Sequence, residues 1–186
     1  MKTRSWRAVL AVVIGFALVG AGTSTANAAD HRKGSGSLGT TRVVVAPEVY
    51  SLIAGAGITP AAIKPATARP AGSTLAATFP ISKVKLSKLQ IKHDGGIKLS
   101  AGPAKISLRN FTIDVNKLRV YGRVSGSVGT VPTAQLFTLE RSDRTQYGQL
   151  KLVLTSTAAG ALNKTFGVTA FSQGATFGYA TVKPKA

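Results

Sequence analysis

IKHDGGIKLSAGPAKISLRNFTIDVNKLRVYGRV, running from Ile91 to Val124, alternates apolar and polar residues between turn signals and points to a β fold. Ile97 and Leu99, Ile106 and Leu108, Ile113 and Val115, and Leu118 and Val120 are pairs of apolar residues two apart. A period of two is the signature of a half-buried strand. Asn110-Phe111 breaks the alternation once, which calls for a register change at Asn110. Asp94-Gly95-Gly96, Gly102-Pro103 and Asn116-Lys117 punctuate the runs as turns. Asp94-Gly95-Gly96 reads as a hairpin turn from the strand ending at His93 into Ile97–Ser100. The predicted unit is an antiparallel meander.

Moving outward, Thr74–Pro80 and Ile81–Lys92 read as extended. Lys83-Val84-Lys85-Leu86 and Leu89-Gln90-Ile91-Lys92 alternate, with a slip at Ser87-Lys88 that reads as a bulge. Ile58–Ala68, interrupted by Pro60 and Pro65, is extended rather than helical. Ser125–Val131 reads as a Gly/Ser loop, Ala134–Leu139 as a strand and Arg141–Gly148 as a polar loop.

The two flanks follow one plan. Arg42–Ala46 (RVVVA) is a β-branched strand, and Pro47 opens a helix over Pro47–Ala56, with Val49, Leu52, Ile53 and Ala56 as its apolar stripe and Gly57 as its stop. Leu150–Thr155 is a strand, Thr155 or Ser156 caps a helix over Thr157–Thr165, and Gly167 stops it. Val168–Val182 supplies one or two further strands. The chain thus reads as two similar strand–helix units bracketing the meander. The expected fold is mainly β, an antiparallel β-sandwich-like domain with two short α-helices, preceded by a signal peptide.

That signal peptide is expected over residues 1–28. Lys2, Arg4 and Arg7 precede the uncharged run Ala8–Ala21, and Ala26-Asn27-Ala28 has the small-x-small pattern of a cleavage site. The run is shorter than the roughly 20 residues of a bilayer span. No Arg-Arg pair is present in the n-region, so the general secretory route is expected, ending in a secreted or wall-associated protein. Residues 29–41 read as a flexible leader and 42–186 as one domain.

Without Lys2, Arg4 and Arg7, 21 basic residues remain against six acids, a net charge of +15. Such a field attracts polyanions: anionic cell-wall polymers or acidic lipid head groups. Lys83 and Lys85 share a face that Lys88 and Lys92 extend, with Lys98 and Lys105 on neighbouring strands. The face is a candidate polyanion site; it also suits a strand edge guarded against aggregation. Few aromatics interleave these lysines, so nucleic acid is not expected as a partner.

The residue inventory argues against catalysis. There is no cysteine, hence no thiolate chemistry and no Cys-based metal site. The acids are Asp30, Glu48, Asp94, Asp114, Glu140 and Asp143, and the histidines are His31 and His93. None of them falls in a nucleophile-elbow, phosphate-loop or HExxH pattern. Two side chains remain candidates for holding a ligand. His93 sits at the shoulder of the Gly turn, where it is either a polar turn residue or a ligand to a metal or haem iron. Tyr50, on the first helix, either packs over the core or offers a phenol oxygen to haem iron.

Ile91–Leu99, Ile106–Val115 and Leu118–Val124 together resemble the strand–His/Gly-turn–strand core of the HtaA-type domain, found in secreted haem-uptake proteins of high-GC Gram-positive bacteria. The resemblance covers residues 42–140. It implies that haem is the ligand, that Tyr50 on the N-terminal helix binds the iron and that His93 supports it. This chain has Ala46 one turn before Tyr50, where the family places a hydroxyl residue, and its one Trp, Trp6, lies outside the domain. The closing strand–helix unit is similar to that of uncharacterised secreted relatives. The function expected from the whole is a non-enzymatic binding domain of the cell envelope for haem or another small ligand. The alternative is a structural or adhesive envelope protein that binds anionic polymers through its basic face.

Overall fold

The structure is a computed structural model, and it describes residues 37–185. The expected signal peptide and residues 29–36 of the expected leader lie outside the described residues.

Eleven strands and two helices follow one another as β1 (Gly39–Val45), α1 (Pro47–Gly55), β2 (Thr59–Ile63), β3 (Thr67–Ala71), β4 (Thr74–Lys85), β5 (Gln90–His93), β6 (Gly96–Ala101), β7 (Ala104–Asp114), β8 (Arg119–Gly126), β9 (Gly129–Arg141), β10 (Leu150–Leu154), α2 (Ser156–Phe166) and β11 (Thr176–Pro184). Every pairing is antiparallel. The order β7-β5-β4-β1-β11-β10-β9-β8 returns to β7, so eight strands close into a barrel. The expected mainly β antiparallel domain with two short helices is present, but its sandwich-like sheet is closed into a barrel. Closure leaves none of these eight strands as a free edge of the barrel. The remaining strands extend the wall: β2 and β6 continue from the first half of β7, and β3 pairs with β4.

Two turns differ from their sequence reading. His93 and Gly96 do not face each other in a hairpin. β5 pairs with the second half of β7, at Thr112–Asp114, and β6 pairs with the first half, at Ala104–Arg109. The two short strands diverge from Asp94-Gly95 and share one long neighbour. Gly96 is obligatory at this fork, because a Cβ there would sit 2.2 Å from the Leu108 carbonyl oxygen. The irregularity at Ser87-Lys88 is not a bulge in one strand. Leu86–Lys88 form a 3-10 turn, Leu89 takes φ 47°, and the chain reverses from β4 into β5. The bulge lies earlier, between Ile81 and Lys83.

The register change expected at Asn110 is present. Asn110 has φ 53°, and the β7–β8 register shifts between Arg109 and Thr112. Ser125–Val131, read as a loop, is instead the tip of a tight hairpin, with Gly126 opposite Gly129. Strand β1 starts at Gly39, so residues 39–41 of the expected leader belong to the barrel.

The two strand–helix units are alike in detail. β1 and β10 flank β11 on either side, and each feeds its helix at the same end of the barrel. In both, a glycine of positive φ ends the helix, Gly57 at 67° and Gly167 at 65°. The next amide then bonds back five residues, Ile58 to Ile53 and Val168 to Asn163. Thr155 caps α2 by accepting from the Ala158 amide, as its position before the helix predicts. In α1, Val49 and Ile53 are buried, Leu52 is half-buried and Ala56 is exposed, so the apolar stripe is narrower than expected. One continuous core runs from α1 through the barrel interior to α2.

Candidate functional site

Thr41, Val43 and Val45 of β1 alternate into the barrel, where they meet Ala77 and Phe79 of β4, Ile113 of β7 and Phe137 of β9. An eight-stranded barrel is just wide enough for side chains to fill or for one small ligand. Here filling is incomplete. Alanines at 77 and 180 leave a cavity of about 90 Å³.

Its lining is apolar except for Thr41, Tyr50 and His93. The fold therefore brings together the two residues singled out for haem, from α1 and from the end of β5. Tyr50 is half-exposed and stands where the cavity meets the surface, on a helix whose first turn is set by Pro47. His93 is buried, at 3% exposure. No hydrogen bond joins the two side chains among those found in the described residues.

The surroundings of His93 define its protonation. Its Nδ1 lies 3.2 Å from the Phe111 carbonyl oxygen, which can only accept, so Nδ1 carries the hydrogen. Nε2 is then the acceptor, and the Thr41 hydroxyl donates to it at 2.7 Å. The β7 bulge makes the first bond available: the shift between Arg109 and Thr112 leaves Phe111 out of the ladder to β8. Its ring packs edge-on against Phe79, with centroids 5.1 Å apart. Burial pushes the imidazole pKa down from 6.5 to about 4, against the opposing effects of the Phe111 carbonyl and Asp94. His93 is thus a neutral, doubly bonded wall of the cavity. Any metal taken up on Nε2 would have to displace Thr41.

Thr41 is a site residue that the sequence reading misses: its alternation with Val43 and Val45 marks it as inward-facing, but residue 41 reads there as the end of the flexible leader.

The basic residues form a second feature, elsewhere on the barrel wall. Lys83 lies directly opposite Lys92 across β4 and β5, and Lys85 opposite Gln90. Lys88 stands on the adjoining 3-10 turn. The ammonium of Lys92, then partial burial, then Lys83 and Lys88 hold the Lys85 pKa below the usual lysine value. Lys98 stands apart. It is exposed on β6 between Ala61 and Ser107, and β6 does not pair with β5. Lys105 is likewise on the far half of β7.

No family model matches the chain, and no curated protein matches it. Among solved structures it is similar to the haem-binding protein HtaB from Corynebacterium glutamicum, with a TM-score of 0.55 and 15% identity over 77% of this chain and 90% of that one. At that identity the likeness is one of fold.

Proposed function

We propose that the chain is an exported, non-enzymatic binding domain of the cell envelope that takes haem, or another small apolar ligand, at the mouth of the barrel cavity. The observation that carries this reading is the convergence of Tyr50 and His93, 43 positions apart in sequence, on one otherwise apolar cavity. The haem-binding activity of the HtaB protein, whose fold the chain shares, supports it.

The donor set fits haem at the mouth and not inside. A cavity of about 90 Å³ is far below the roughly 300–1,000 Å³ of sites that enclose a ligand of drug size. Tyr50 is half-exposed there and can turn its phenol oxygen to an iron, a known axial ligand type. The apolar lining would cover a porphyrin edge, while His93 and Thr41 hold the wall behind it through their mutual hydrogen bond. Bound haem would supply the redox-active iron, and the protein would supply binding and orientation.

Titration of the purified protein with haemin tests the reading. A saturable spectral change with an iron–phenolate absorption band is expected, and Tyr50→Phe removes the band while leaving the circular dichroism spectrum unchanged. A wild-type spectrum identical to free haemin, or a band that survives Tyr50→Phe, overturns it.

A further inference from the structure

At the end of the barrel away from α1 and α2, charge and apolar surface are combined in a way the haem site does not use. The 3-10 turn between β4 and β5 carries Leu86, 52% exposed and the most exposed large apolar residue among those described. Leu38, 40% exposed, lies close by, since its amide bonds to the Ile81 carbonyl of β4. Leu86 also lines a small pocket at this end with Val84, Leu89, Val115, Val182 and Pro184, which reaches in to the buried Ile81 and Ile91. The strands that supply these residues also bring lysines to the same end. Lys83, Lys85, Lys88 and Lys92 flank Leu86, Lys117 follows Val115, and exposed Lys183 lies between Val182 and Pro184.

Among the described residues no ion pair reaches these lysines. Glu48 and Glu140 are paired elsewhere, with Arg144 and Lys151. Asp114 is buried, and its oxygens accept from the Gln90 side-chain amide and the Lys117 backbone amide. Lys83 and Lys92 directly oppose each other, a like-charge pair that an external anion lying over it would relieve.

We infer that this end of the barrel is a docking surface for an acidic phospholipid bilayer, with Leu86 and Leu38 entering the headgroup layer and the surrounding lysines pairing with lipid phosphates. The apolar tip decides between partners. A soluble polyanion needs only the lysines and gains nothing from an exposed leucine, whereas a membrane surface rewards both apolar insertion and cationic contact.

The test is co-sedimentation of residues 29–186, which hold every described element and omit the apolar run 8–21, with phosphatidylcholine vesicles with and without phosphatidylglycerol. Binding only to the anionic vesicles, falling as salt rises, is expected. Lys85→Gln with Lys88→Gln lowers the partition by about 25-fold, at about fivefold per lysine. Leu86→Ser lowers it by about tenfold without changing any charge. Arg109→Gln with Arg123→Gln, an exposed cross-strand pair farther along β7 and β8, removes the same charge and leaves the partition within about twofold of wild type. No sedimentation with anionic vesicles at low salt overturns the inference. So does wild-type binding by Leu86→Ser, which would point to a soluble polyanion, or an equal loss in the arginine control, which would mean net charge alone. Circular dichroism confirms that each variant is folded.

Discussion

Protonation of His93 should be the main reason this barrel loses stability in mild acid. Its folded pKa is depressed to about 4, while an unfolded histidine titrates at 6.5. Between those values the unfolded chain binds the proton and the folded chain does not, so stability falls as pH decreases through this window. Above 6.5 both forms are neutral and the site contributes no pH dependence. Below about 4 the full penalty applies, about 3 kcal/mol at 1.36 kcal/mol per pKa unit. By about pH 5 roughly 2 kcal/mol is already lost, a large part of the 5–15 kcal/mol stability of an ordinary domain. The structural cause is specific. A second proton on the ring would sit on Nε2, where the Thr41 hydroxyl now donates, so protonation forces Thr41 to rotate inside an apolar cavity. Urea unfolding followed by far-UV circular dichroism between about pH 5 and pH 8 measures this directly. The substitution His93→Gln keeps one donor and one acceptor, and His31→Gln controls for the other histidine. The expected result is a slope in wild type and His31→Gln that is flattened in His93→Gln. Equal slopes in all three proteins, or no slope in wild type, would refute the assignment of a buried neutral imidazole.

Three further outcomes follow from the packing. Gly96→Ala places a Cβ against the Leu108 carbonyl and the Arg109 backbone and should cost about 3 kcal/mol in denaturant titrations, enough to splay β6 from β7. Thr155→Ala removes the α2 cap and the hydroxyl bond to the Gln135 carbonyl, for a loss of about 1 kcal/mol in the same assay. Ala77→Val fills part of the barrel cavity. A residual void costs about 24 cal/mol per Å³, so about 90 Å³ represents roughly 2 kcal/mol, and partial filling should raise the melting temperature in a thermal scan.

Much of the local structure is legible in the residues themselves. The period-two runs at Ile106–Leu108 and Val120 mark strands, the turn chemistry separates them, and Pro47, Thr155, Gly57 and Gly167 set the limits of both helices, because capping and φ preferences act within a few residues. The break at Asn110 is also visible, since a bulge must shift the inside–outside alternation. The count of acids and the close spacing of Lys83, Lys85, Lys88 and Lys92 need only the order of residues.

Closure of the barrel is a different kind of fact. Alternation says which side chains face inward but not which strand lies alongside. β1 beside β11 joins residues near 40 to residues near 183, and the sharing of β7 by β5 and β6 overrides the local hairpin signal at Asp94-Gly95. The site depends on the same long-range register. Thr41 meets His93 across 52 residues, and the Phe111 carbonyl is free to receive Nδ1–H because β7 bulges where two partner strands diverge. Most elements, both helix limits and the charge follow from the order of residues along the chain. That Tyr50 and His93 share one cavity, that His93 is neutral and that Leu86 stands at the opposite end of the barrel follows from the fold, because each depends on strands far apart in the chain lying side by side.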